Sequence, residues 1–144
     1  MIIQLEIMRM NFNGTADFKK DLKKLSKKFR TLNADLAEFK KILNEVPLGI
    51  GRHFNVITKR GSVYIIKARF FCRSLKKKDL RIIYAYIEDH QIIAMIGIEF
   101  IELYFKGDKR NEDRRRIKEY LESKRITQLI TYHQPHAQKK TSPC

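Results

Sequence analysis

The chain has 144 residues; Lys plus Arg number 31 and Asp plus Glu 16, a formal net charge of +15. A hydrophobic content of 43% allows a packed core and excludes a chain that is disordered throughout. On one domain's length of sequence, that charge points to a polyanion such as RNA, DNA or the ribosome, with an acidic protein or an anionic membrane surface as the other readings; a small acidic substrate does not require it.

Other classes drop out on residue type. Two cysteines, Cys72 in an apolar run and Cys144 at the end, make no disulfide framework and no zinc spacing. There is no Walker motif, Gly-rich phosphate loop or internal repeat. His53, His90, His133 and His136 share no spacing, so neither metal nor cofactor is expected. No uncharged apolar run reaches the roughly 18 residues that suggest a membrane span. The start, Met1–Glu6, is too short and polar for a signal sequence, and the expected location is cytoplasmic.

In chain order, Ile2–Met8 reads as a first strand and Asn11–Thr15 as a turn cluster, with Thr15 a helix N-cap and Asp17 in the first turn. Phe18, Leu22, Leu25 and Phe29 make one helical stripe; Lys19, Lys20, Lys23, Lys24, Lys27 and Lys28 occupy the other face, which is either solvated or in contact with phosphate. A second helix after Asn33 has Leu36, Phe39, Ile42 and Leu43 as its apolar face and stops at Pro47 and Gly49. The period then changes. Strands are expected at His53–Thr58, Val63–Cys72, Leu80–Glu88 and Ile92–Lys106, joined by short turns into an antiparallel sheet, the last strand long enough to need a bulge. Asn111 is placed to cap a third helix with Ile117, Tyr120 and Leu121 as its apolar stripe. Ile126, Leu129 and Ile130 are out of phase with it, and the residues from Thr131 read as a loose tail. The expected fold class is α+β, an antiparallel sheet packed on an N-terminal helix hairpin with a C-terminal helix, as a domain over 1–123 with an extension over 124–144.

Strand parity singles out a polar face. Alternate side chains of a strand share a side. Tyr64, Ile66, Ala68, Phe70 and Cys72 suit a core, and so do Ile101, Leu103 and Phe105. The opposite side gathers Lys67, Arg69, Arg81, Glu102, Tyr104 and Lys106, expected to be accessible on one surface. Such a set suits RNA cleavage without a metal, which needs proton donors and acceptors and cations around the phosphorus. Arg holds phosphate with two donors, a Lys crowded by cations has a depressed pKa, and Tyr stacks or donates. Scattered cations on an open sheet face also serve solubility alone. Lys76, Lys77, Lys78 and Lys109 are further candidates for contact with nucleic acid.

Four segments carry a family resemblance. They are Asp17–Lys28, Val63–Arg69, Leu80–Tyr86 and Phe100–Lys109, in order over about residues 1–123. Together they resemble the RelE/ParE superfamily of toxins from type II toxin–antitoxin systems. The resemblance implies a β-α-α-β-β-β-α toxin that is silenced by an acidic cognate antitoxin. RelE-like members cleave mRNA in the ribosome without a metal, and ParE-like members poison DNA gyrase without nuclease chemistry. It places Lys67, Arg69 and Arg81 at catalytic or phosphate-holding positions. The chain departs from the family after the last strand, where Tyr104 and Lys106 stand in place of an arginine-rich turn and a late tyrosine. The leading expectation is a ribosome-dependent mRNA endoribonuclease. A gyrase inhibitor and a basic RNA-binding module without catalysis are the alternatives.

Overall fold

A computed structural model describes residues 10–49, 51–75, 80–88 and 97–124. The expected strand at Ile2–Met8, the Lys76–Lys78 turn, the Asp89–Gln91 turn with the beginning of the last strand, and the chain from residue 125 lie outside these residues. The described elements are β1 (Asn11–Gly14), α1 (Ala16–Lys28), α2 (Leu32–Glu45), β2 (Phe54–Arg60), β3 (Val63–Phe70), β4 (Leu80–Ile87) and β5 (Gly97–Phe105), followed by a helix α3 over 114–124. The class is α+β, with a five-stranded sheet in the order β1-β5-β4-β3-β2. The chain divides into two compact units between Glu112 and Asp113, and α3 belongs to the second.

Residues β2 to β5 pair antiparallel, as their short connections require. β1 pairs parallel with β5, so the sheet is mixed and not wholly antiparallel. This corrects the sequence expectation, as does β1 itself, which lies where the Asn and Gly residues suggested a turn. Two close approaches explain it. Phe12 stacks on Phe100 with ring centroids 6.1 Å apart. A Cβ on Gly14 would meet Phe18 Cδ2 at 2.8 Å, so this glycine serves packing and not turn geometry.

The helices start as their caps dictate. The Thr15 side chain accepts from Phe18 N at 3.1 Å, and Lys27 and Lys28 end α1 where the helix dipole favours cations. Phe18 and Leu25 of α1 and Leu32, Leu36, Phe39 and Leu43 of α2 pack against Ile66, Ala68, Phe70, Ile82, Tyr84, Phe100 and Leu103 of the sheet. Each large side chain buried this way contributes about 1.5–3 kcal/mol. Phe39 sits at the centre, 5.3 Å from Phe70 and 6.1 Å from Tyr84 between ring centroids. Ile42, expected in this core, is 50% exposed, and Leu32, just before the expected start, is fully buried instead.

The expected bulge lies between the partners of Ile83 and Tyr84. Ile83 faces Glu102 and Tyr84 faces Phe100, leaving Ile101 as the extra residue. The shift puts Phe100 and Leu103 on the helix side. Ile101 is buried but is not part of that cluster, a correction to the simple parity that grouped it with Leu103 and Phe105. In the second unit, Asp113 and not Asn111 caps α3. Its Oδ1 accepts from Arg115 N at 3.0 Å, while Ile117, Tyr120 and Leu121 are buried as expected.

Candidate functional site

Cross-strand register assembles the site from residues far apart in sequence. On the sheet side away from the helix hairpin, Arg69 faces Arg81 and Arg81 faces Tyr104; in the neighbouring row, Lys67 faces Ile83 and Ile83 faces Glu102. Directly opposite residues on adjacent strands stand about 5 Å apart. Lys67, Arg69, Arg81, Glu102 and Tyr104 therefore share one patch. Lys106 does not join it: the residue lies in the turn after β5 and is exposed.

Accessibility differs from the expectation. Arg69 is exposed and Lys67 half-buried, but Arg81 is only 7% exposed, Tyr104 5% and Glu102 is fully buried. The patch is a lined, charged layer and not an open basic surface. Charge neutralisation explains how it is tolerated, because a buried ion without a counter-charge costs several kcal/mol. Lys67 Nζ donates to Glu112 Oε1 at 2.8 Å. Lys109 pairs with Glu102, and its Nζ also lies 5.1 Å from the centroid of the Tyr104 ring. Lys109 thus turns its charge inward, and Lys76–Lys78 lie outside the described residues. Arg81 Nη1 donates to the Leu80 carbonyl at 3.1 Å.

The protonation states follow from these neighbours. Burial alone pulls Lys67 down, but the hydrogen bond to Glu112 and the nearby Tyr104 outweigh it and hold the ammonium above the usual lysine pKa. The expected depression by crowded cations is corrected: at neutral pH Lys67 is a fixed cation and not a proton carrier. Burial raises Tyr104 above the usual phenol value, opposed by the adjacent Lys67 ammonium and reinforced by Glu112 and Glu102. Its hydroxyl is buried; the Lys67 ammonium lies beside the oxygen, but the proton has no acceptor among the described residues. A buried donor without an acceptor costs about 1–3 kcal/mol and calls for an explanation.

Glu112, just before α3, is a partner that the sequence pattern alone does not single out. The signal for it was the buried cation row itself, since Lys67 on an otherwise apolar layer demands a carboxylate. Asp35 was missed as well. It is 6% exposed on α2 and accepts from Thr31 Oγ1 at 2.8 Å and from Arg73 N and Nε, both at 2.9 Å. It ties the helix hairpin to the turn after β3. Burial pushes its carboxyl up, and these three hydrogen bonds with one from Cys72 more than reverse that, leaving it below the usual value. Tyr84 and Tyr120 are buried, and Tyr86 packs at the core's margin, so these three tyrosines serve packing. Among the described residues no group of three or more His, Cys, Asp and Glu side chains is placed to hold a metal ion. Nor, among them, is any helix long and apolar enough to cross a membrane.

No protein-family model, curated protein or solved structure matches this chain.

Proposed function

We propose that this chain is a RelE-like toxin that binds RNA across the sheet layer and cuts it without a metal, in the cytoplasm and on the ribosome, under the control of an acidic antitoxin. The observation that carries the reading is the Tyr104 hydroxyl: buried, with the Lys67 ammonium beside its oxygen but no acceptor for its proton among the described residues, and directly across from Arg81. A phosphate drawn in by Arg69 and Arg81 supplies the acceptor this hydroxyl lacks. Tyr104 stays protonated at neutral pH and donates to the leaving 5′-oxygen. Lys67, fixed as a cation, offsets charge on the phosphorus. The Glu112 carboxylate takes the proton of the attacking 2′-hydroxyl, which leaves a cyclic phosphate and a free 5′-hydroxyl.

Tyr104→Phe tests this with little risk to the fold, because it removes a buried hydroxyl whose proton has no acceptor among the described residues and leaves Lys67 its ion pair with Glu112. mRNA cleavage with ribosomes present, in EDTA, should fall by about 10²–10³, by analogy with loss of one transition-state donor. The thermal midpoint should hold or rise. Cleavage at the wild-type rate by Tyr104→Phe overturns the assignment. A second reading, an RNA-binding module without chemistry, is favoured by the Lys67–Glu112 and Lys109–Glu102 pairs, which neutralise two of the cations. Intact mRNA at saturating wild-type protein selects it. Intact mRNA with blocked DNA supercoiling selects gyrase.

A further inference from the structure

α1 presents Lys19, Lys20, Lys23, Lys24, Lys27 and Lys28 to solvent, all exposed and none in an ion pair among the described residues. They form two rows, Lys19-Lys23-Lys27 and Lys20-Lys24-Lys28, about 100° apart around the helix with a repeat of about 6 Å along it. The helix's own acids do not neutralise them: Asp21 is turned inward, accepting from Leu103 N at 3.1 Å, and Asp17 sits in the first turn. Six unpaired like charges on under three turns repel one another and destabilise the helix unless an anion is meant to meet them.

A second feature adjoins the first row. A pocket of about 300 Å³ opens between β1, α1 and α2, walled by Phe12, Leu22 and Phe100, with Asn13, Lys19 and Lys40 among its polar lining. Lys40 Nζ lies 5.9 Å from the Phe12 ring centroid and 6.0 Å from that of Phe100. A flat aromatic wall flanked by two ammonium groups, with an amide beside it, fits a base stacked on a ring while its phosphates meet lysines. Lys19 belongs to both the row and the pocket.

We infer that α1 and this pocket form a single-stranded nucleic-acid tract, the backbone running along the lysine rows and one base seated against Phe12. The inference stands apart from any chemistry on the sheet. An anionic membrane does not fit, because the apolar face of α1 is spent on the core through Phe18 and Leu25 and has nothing to insert. An acidic protein segment would satisfy the lysines but not the aromatic pocket.

The probe is a short 2′-O-methyl oligouridylate, which lacks the nucleophilic hydroxyl and so reads binding without cleavage; binding is followed by fluorescence anisotropy over a salt series. The logarithm of wild-type affinity should fall linearly with log salt. In the double variant Lys23→Gln, Lys27→Gln the slope should be shallower by about 1.4, at roughly 0.7 per lost contact on a single strand. An abasic strand of equal length should bind about tenfold more weakly than the oligouridylate, the worth of one stacked base. Phe12→Leu, which keeps the apolar packing, should erase that difference. Circular dichroism is the control that both variants are folded. An unchanged slope in the lysine variant, equal binding of abasic and normal strands, or polyglutamate binding as tightly as the oligonucleotide would each overturn the inference.

Discussion

Asp35, buried, and Lys67, half-buried, each make stability depend on pH, one at the acid end and one at the alkaline end. Asp35 has a folded pKa below its unfolded value, so its contribution is present at neutral pH and is lost as pH falls through the folded value. Asp35→Ala leaves Arg73 N and Thr31 Oγ1 without their acceptor and should cost about 2–3 kcal/mol at neutral pH in urea unfolding. The variant should also show a flatter loss of stability below the usual carboxylate range. Lys67 is the mirror case. Its folded pKa is raised, so its contribution is present below the ordinary lysine value and is lost as pH rises through the folded one. Lys67→Met should destabilise by about 1–3 kcal/mol, since it strips a charged hydrogen bond from a carboxylate that is only 9% exposed. Its deficit against wild type should shrink at alkaline pH.

At the scale of elements, the connection from α2 into β2 carries more constraint than its length suggests. Gly49 has φ +76°, a conformation that side chains rarely adopt, and an added Cβ would run into the Phe54 ring. Phe54 in turn stacks on Phe39, 6.0 Å away, at the centre of the core. Gly49→Ala should therefore lower stability by about 2 kcal/mol or more through strain and displaced packing together, read as a lower urea midpoint with an unchanged slope. Tyr84 adds a second tie to the same connection, its hydroxyl donating to the Pro47 carbonyl at 2.8 Å. Tyr84→Phe should cost about 1 kcal/mol, the ordinary worth of one hydrogen bond.

At the scale of the whole molecule, charge and exposed edge act together. A net charge of +15 speeds the encounter with an acidic chain and makes its rate fall with ionic strength. β2 closes one side of the sheet, with Val56 50% exposed and Ile57 38%, and one of its edges is unpaired among the described strands. Such an edge accepts an added strand. If the acidic antitoxin proposed above pairs there, it should associate more slowly by at least tenfold between low and high salt, with a much smaller change in its dissociation rate, measurable by stopped-flow mixing. Ile57→Pro should weaken that complex while sparing the oligouridylate binding inferred for α1.

The sequence by itself determined the elements whose signal is local. The α1 and α2 stripes, the Thr15 cap and the strands around Val63 and Leu80 follow from periodicity and capping within a few residues, and so does the grouping of Lys67, Arg69 and Arg81 on one side. Strand parity carries that far because β3 and β4 pair without interruption. Parity fails at Ile101, where the bulge breaks it at a position only the partner strand fixes. β1 escaped because its pairing is with β5, some 86 residues away by the Thr15–Ile101 hydrogen bond, and its Asn and Gly residues obey local turn rules. The site changed character for the same reason. Arg81, Glu102 and Tyr104 read as open because alternation names a side of the sheet but not what lies against it. Which charges are buried, that Glu112 and not solvent meets Lys67, and that the Tyr104 proton has no acceptor among the described residues depend on contacts between distant segments. Those contacts set the local dielectric, and the dielectric decides which group holds a proton.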